Sequence, residues 1–470
     1  MVIAVVGSGG KTSRIHALEE LYRKQGKKVL VTTTTHMMVE ENSDLSGDAE
    51  VILKKLEADR YCMAGLLAAQ GKMKALSLQT YEHVCKAADV VLVEADGSKQ
   101  LPVKVPADHE PVIPENADEI HVVVGLSALG KALKEVSHRK DLVLKCLGVS
   151  EDTILLPTHL QKLVQKGYVE PLREKYPAKV IKICPGQINH LYEKAVAQFL
   201  REEQDVSVLN PLWFETRPKL VVLGAGHVGT QVARLGKFLD FEVTVIDDRS
   251  EFADLEKLPF ADHVYCHEFE TVEQRFPLES HTYYVVVTRG HFADQLCVEK
   301  ILNHGAYAYI GMIGSRLKVA KTMEALGEKG FSKELLRNIH APIGLRIGAR
   351  TPEEVALSIA AELVQEKNQR SNSTLTKQML ETKESGVLCV ITRKTGSSPR
   401  GEGSMMLVTE QGILGSIGGG VLEKNVIAYA KNVTGICRET FSLSNEESRN
   451  LGMICGGSNE IIFIPINEYL

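Results

Sequence analysis

VIAVVGSGGKT at residues 2–12 joins an apolar run, a glycine turn and the start of a helix-like segment. A strand feeding such a turn aims backbone N–H groups and a helix N-terminus at an anion. The stretch therefore predicts an α/β unit built around a phosphate-holding loop. The pattern recurs in LVVLGAGHVG at residues 220–229, and two such loops on one chain predict two units that handle nucleotides or phosphorylated ligands.

Outward from the first loop, apolar runs alternate with helical patterns: strands at residues 2–6, 28–35, 90–93, 121–124 and 179–183, and a helix at residues 14–25. This βαβ rhythm implies a largely parallel sheet. It stops in NPLWFETRP, residues 210–218, which holds the one tryptophan, Trp213, and reads as a linker. A second series runs from residue 220 to about 366 and closes in a helix whose first turn suits Pro352. Residues 367–384 read as a polar connector. Residues 386–470 carry short strands at 387–392, 404–409 and 461–466 with many glycines. The predicted architecture is α/β: a P-loop-like N-terminal domain (1–208), a Rossmann-like central domain (218–366) and a small α+β C-terminal domain (385–470).

A standard phosphate loop reads G-x-x-x-x-G-K-[ST], and the position five before Gly10 holds Val5. The shorter run here keeps the mechanics, with glycine N–H groups around phosphate, the Lys11 ammonium on it and the Thr12 hydroxyl on Mg²⁺. Residues 88–93 form an apolar strand ending in Glu94 and Asp96, the place where a carboxylate meets a loop-bound Mg²⁺. Gly7, Gly9, Gly10, Lys11 and Thr12 are thus candidate contacts for ATP or GTP, and Thr12, Glu94 and Asp96 candidate Mg²⁺ ligands. Lys99, Lys104 and His109 follow the acidic strand end, either as cations lining the same cleft or as a solvated loop.

In the second loop Gly224, Gly226 and Gly229 spell G-x-G-x-x-G, and the next apolar strand ends in Asp247, where a dinucleotide fold meets a ribose hydroxyl. A fold is not a site. An NAD(P)-dependent oxidoreductase and a non-catalytic cofactor-binding scaffold both stay open, although no hydride-transfer constellation follows the loop.

A formal net charge of −5 gives no general attraction to nucleic acid or to an anionic membrane. Nine cysteines without a C-x-x-C pair indicate neither a disulfide framework nor a structural zinc site. The opening apolar run breaks at Gly7, too short for a signal peptide or a membrane span, so a cytoplasmic protein is expected.

GSGGKTS, VTTTTHM, VEADGSKQLPVKVPADHEPVIP (93–114), GLSALGK and HRKDLV resemble the YqeC proteins, accessory factors of selenium-dependent molybdenum hydroxylases. VVVTRGHFADQL (285–296), AYIGMIGSRLKVAKTMEALGEKGFS (308–332) and HAPIGLRIGARTPEEVALSIAAELV (340–364) resemble the Rossmann domain of the XdhC/CoxI family, maturation factors of xanthine and carbon monoxide dehydrogenases. TRKTGSSPRGEGSMMLVTEQGILGSIGGGVLE (392–423) and LGMICGGSNEIIFIPI (451–466) are similar to that family's smaller domain, which usually precedes the Rossmann domain and here follows it.

The resemblance implies a factor that binds molybdenum cofactor, assists its sulfuration or selenation, and delivers it to an apo-hydroxylase of the xanthine dehydrogenase type. Its implied partners are that hydroxylase and a sulfurtransferase; a homodimer is one oligomeric state open to the chain, which the sequence does not decide. It would place the cofactor's phosphate or nucleotide end on Gly224, Gly226, Gly229 and Asp247, and its metal end toward Gly418, Gly419, Gly420 and Cys455. Arg289, His291, Arg316 and Arg400 would surround the pterin or its phosphate. Val421 stands where family members commonly carry cysteine, while Cys455 in ICGG is kept.

Overall fold

The computed structural model describes residues 1–69, 71–97, 101–214, 218–277, 282–305, 307–370, 374–396, 400–442 and 457–467. The first unit supplies β1 (Val2–Ser8), α1 (Lys11–Lys24), β2 (Val29–Thr33), β3 (Tyr61–Met63), β4 (Val90–Glu94), β5 (Glu119–Gly125), β6 (Val180–Gly186) and α2 (Leu191–Arg201). β1 is buried along its whole length, which is why its apolar run is continuous rather than alternating. The sheet order is β6-β5-β1-β4-β2-β3, all parallel. From β1 the chain passes through α1 to β2 on one flank, while β5 and β6 lie on the other. That reversal makes the carboxyl ends of β1 and β5 a topological switch point, where open α/β sheets form their binding crevice.

The second unit contains β7 (Lys219–Leu223), α3 (His227–Phe238), β8 (Glu242–Asp247), β9 (His263–Cys266), β10 (Thr282–Val286), α4 (His291–His304), β11 (Tyr309–Met312), α5 (Arg316–Glu328) and α6 (Pro352–Arg370). Its parallel sheet has the order β9-β8-β7-β10-β11. Helices cover both faces: Val222 and Val243 pack with Ala356 and Ile359, and Val221 and Ile246 with Val298 and Leu326. Both cores are built from this unit's own residues.

After α7 (Lys377–Glu381), the third unit holds β12 (Gly386–Gly396), β13 (Met405–Thr409), β14 (Ile413–Gly415), α8 (Gly420–Ala430), β15 (Cys437–Ser442) and β16 (Gly457–Ile466). The sheet is antiparallel, in the order β14-β13-β12-β16-β15. Period-two alternation splits its side chains. Cys389, Ile391, Met406 and Phe463 lie under Leu422 and Val426 of α8. Leu388, Val390, Leu407, Ile462 and Ile464 point the other way and share one core with Ala195, Phe199 and Leu200 of α2. The Ile436 N–H donates to Glu202 Oε2 at 2.9 Å across the same seam.

Residues 210–214 are less of a free linker than their composition suggests. Trp213 and Phe214 are buried, and the Phe214 ring centroid lies 4.8 Å from that of Tyr192 on α2. Large aromatic rings gain too much from leaving water to remain in a loose segment. The connector is tied down similarly: α6 runs on to Arg370, and Met379 of α7 is fully buried in the core shared by the first and third units. Among the described residues no helix is long and apolar enough to cross a membrane.

Candidate functional site

The glycine turn between β1 and α1 sits against β5. A Cβ on Gly7 would stand 2.1 Å from the Val123 carbonyl oxygen, so the first glycine serves close strand packing as well as the turn. Gly10 is different: at a φ of 124° it caps α1, no side chain among the described residues caps that end, and a Cβ there would meet nothing closer than 3.9 Å.

Asp96 is fully buried behind this loop. Its Oδ1 accepts from Lys11 Nζ at 2.7 Å, and its Oδ2 from the Gly7 N–H at 3.0 Å, Lys104 Nζ at 3.1 Å and the Tyr168 hydroxyl at 3.1 Å. Lys11 also donates to the Gly7 carbonyl at 3.0 Å and lies 3.6 Å from Glu94. Lys104 reaches Glu110 at 2.5 Å, and Arg139 grips Glu110 through two hydrogen bonds of 2.7 and 2.9 Å. Three cations and three carboxylates thus neutralise one another in a buried chain. Burial pushes the Glu94 carboxyl above its usual range despite Lys11 beside it. Burial raises Glu110 too, but the hydrogen bonds from Arg139 and Lys104 outweigh it and hold that carboxyl low. The Tyr168 phenol is driven well up by burial and by Asp96.

The structure therefore brings Gly7, Lys11, Glu94 and Asp96 together, yet the set expected for Mg²⁺ does not fit the ion in this arrangement. Three donors saturate one Asp96 oxygen and an ammonium takes the other, while Thr12 is exposed. Among the described residues no group of three His, Cys, Asp or Glu could hold a metal. Lys104, which reads from sequence either as a cleft cation or as part of a solvated loop, is instead buried and spent on Asp96, Glu110 and the Gly97 carbonyl. His109 is exposed, and Lys99 lies outside the described residues. Tyr168 and Arg139 complete the network; Arg139 sits in the HRKDLV stretch, whose resemblance gives it no role, and Tyr168 reaches the network from a π-helical turn, Gln165–Val169, with no local signal for its role.

In the second unit the loop glycines divide their work. A Cβ on Gly229 would fall 1.8 Å from the Gly224 carbonyl oxygen, whereas one on Gly226 would meet nothing within 4 Å. The open space lies at the N-terminus of α3, again without a side-chain cap among the described residues, and this suits a phosphate group. Asp247, expected near a ribose, is 1% exposed and already committed. It accepts from the Ala225 N–H at 2.7 Å and from Arg249 Nε and Nη2 at 2.9 Å each. Burial alone would raise this carboxyl, but Arg249 and the N–H groups hold it low.

Arg289 is mostly exposed, 3.6 Å from Asp248. Arg316 and Arg400 are exposed, and His291 opens α4. Asp294 is fully buried, a role its surrounding sequence does not announce. It accepts from the Thr288 N–H at 2.9 Å and pairs with Lys318, and burial still raises its carboxyl.

In the third unit the Gly418–Gly419–Gly420 turn leads into α8, and Glu423 of that helix folds back on it. Glu423 Oε2 accepts from the Gly419 N–H at 3.0 Å, the Ile417 N–H at 3.2 Å and the Ser416 hydroxyl at 2.8 Å, so the protein itself uses part of the turn's donor capacity. Cys455 lies outside the described residues.

Sequence comparison accounts for this assembly of units. The YqeC protein family matches residues 3–141, the XdhC Rossmann domain residues 220–363, and the XdhC and CoxI family residues 379–439. YqeC of Escherichia coli (strain K12) is 34% identical over 172 residues, 35% of this chain and 67% of its own length. The chain belongs to the YqeC family, joined to XdhC-like domains. YqeB of the same organism is 30% identical over 186 residues, 39% of this chain and 33% of YqeB. A probable xanthine dehydrogenase subunit from Bacillus subtilis (strain 168) is 29% identical over 151 residues, 32% of this chain and 43% of that protein. The chain thus spans about a third of the length of YqeB and less than half that of the B. subtilis protein. The YqeC match ends just past Arg139 and takes in the whole charge network except Tyr168.

Proposed function

We propose that the protein is a maturation factor for a molybdenum hydroxylase of the xanthine dehydrogenase type, acting in the cytoplasm and with molybdenum cofactor as its cargo. The observation that carries this reading is the union on one chain of a YqeC unit with both XdhC-type domains. The similarity to a probable xanthine dehydrogenase subunit supports it. The YqeC unit binds ATP or GTP in a P-loop-like manner. The XdhC-type units hold the phosphorylated pterin while a sulfurtransferase supplies sulfur, or its selenium counterpart, and the loaded cofactor passes to the apo-hydroxylase.

In this reading Lys11 leaves Asp96 for the nucleotide phosphate. The Gly7 N–H, Lys104 and Tyr168 remain on the Asp96 carboxylate, so the move does not strand that charge. On the second unit the N-terminus of α3 at Gly226 takes the cargo's phosphate, with Arg289 at hand to balance its charge. Asp247 held by Arg249 weighs against an NAD(P)-dependent oxidoreductase, because that carboxylate is not open to a ribose. Cys455 would contact the metal or relay sulfur.

The test is expression of the tagged chain with a molybdenum hydroxylase, followed by molybdenum analysis of the purified factor. Roughly stoichiometric molybdenum and co-purifying hydroxylase are expected, and with Cys455→Ser the hydroxylase should accumulate without its terminal sulfur or selenium ligand. A factor devoid of molybdenum beside a fully active hydroxylase would sink the proposal.

A further inference from the structure

A cavity of about 510 Å³ opens at the carboxyl ends of β1, β5 and β6, the switch point of the first sheet. Gly10, Ser13 and Arg14 border it from the loop and α1, and Lys194 of α2 lines its wall. Two further lining residues, Lys383 and Asn467, come from the third unit. They arrive together because Gly386 at the start of β12 pairs with Ile466 at the end of β16, which brings the entry and exit of that domain to one edge. Both residues are exposed.

Among the described residues the charged lining has one sign. Arg14, Lys194 and Lys383 face a cavity to which the described residues contribute no carboxylate. Its walls also include Ala17, Val123 and Ile188, and its volume falls within the range that holds drug-sized ligands. Three cations beside apolar wall and the amides of Gln187 and Asn467 fit a molecule with an anionic end and a flat, polar-edged apolar end. A nucleotide has that chemistry, and Gly10 and Ser13 connect the cavity to the loop.

We propose that this cavity receives the nucleotide bound by the first loop, its nucleoside against Ala17, Val123 and Ile188 and its anionic end within reach of Arg14, Lys194 and Lys383, the last reaching over from the third unit. The nucleotide then bridges two units that already share a core, adding a polar contact at the rim of their seam. This inference rests on the nucleotide reading given above.

The full-length chain, titrated calorimetrically with ATP and with GTP in the presence of MgCl₂, provides the test. Lys383→Glu is expected to weaken binding on the order of tenfold or more, by reversing a charge at the ligand. Lys383→Arg should bind as wild type does. Because Lys383 is exposed, both variants should melt with the wild type. In hydrogen exchange, bound nucleotide should slow the amides of residues 383–388. If Lys383→Glu binds within about twofold of wild type while Lys11→Ala loses affinity, nucleotide binding at the loop stands and the bridging role falls. Absence of nucleotide-dependent protection at residues 383–388 overturns it equally. A wild-type chain that binds neither nucleotide removes both readings.

Discussion

At Asp96 two ammonium groups, a phenol and a backbone N–H converge on a carboxylate without solvent contact. Taking the carboxylate away leaves Lys11 and Lys104 buried with too little negative charge. Asp96→Ala is therefore expected to cost about 3–5 kcal/mol of stability, read as a lowered urea midpoint, and a loss below about 1 kcal/mol would show that the network is not structural. Lys11→Ala leaves Asp96 three donors and should be milder for the fold, yet it should weaken ATP or GTP by about tenfold or more in calorimetry, as loss of a charge-assisted contact of roughly 1.5–3 kcal/mol implies. Unchanged affinity would exclude Lys11 from the phosphate. Lys11, Glu94 and Asp96 are legible in the sequence because a glycine turn and an acidic strand end are local patterns. Tyr168 is not, since it meets Asp96 across 72 positions of sequence and nothing near it announces a buried carboxylate. Lys104 reads as a cleft cation or a solvated lysine because a lysine in a proline-held loop looks exposed until its partners fold over it.

Among the elements, the turn into α3 separates packing from binding. Gly229→Ala drives a methyl group into the Gly224 carbonyl and should destabilise the second unit by about 1–3 kcal/mol. Gly226→Ala meets open space and should leave the melting temperature unchanged while lowering retention of molybdenum cofactor, measured as molybdenum in the purified protein. Equal melting temperatures for the two variants would contradict this division. On β5, burial holds the His121 imidazole down to about 4 from the usual 6.5, against the opposing pull of Glu119. The unfolded chain takes up that proton first as pH falls. Stability from this group is complete above about pH 6.5 and declines toward pH 4, by up to about 3 kcal/mol. Comparing urea midpoints at about pH 7.5 and pH 5 should show a smaller drop in His121→Gln than in wild type, and parallel drops would refute the assignment. β1, β2, β4, β5, β7 and β8 are legible in their apolar runs, whereas β3 and β9 are too short and too mixed in polarity to show. The single helical turn at Pro211–Phe214 is not legible either, because prolines and polar neighbours mask two aromatics whose burial depends on a distant helix.

For the whole molecule, which unit packs on which cannot be read from sequence, because the docking of one apolar face on another leaves no periodic mark. The third unit shares its core with the first, while the second fills its cores with its own residues. Residues 218–370 expressed alone should accordingly melt cooperatively, and residues 1–214 alone should aggregate or melt lower than in the full chain. Supplying residues 374–470 in trans should restore the latter, and equal melting of residues 1–214 with and without that partner would disprove the dependence. The shared core also bears on synthesis. A ribosome finishes Phe214 and must then translate the entire second unit and most of the third before Ile462 and Ile464 emerge to cover α2, a delay of roughly ten to fifty seconds at ordinary elongation rates. Throughout it Phe199 and Leu200 face solvent beside a nascent domain that folds on its own schedule. The stretch of message between those two points acts as a timer for how long the newborn chain relies on chaperones.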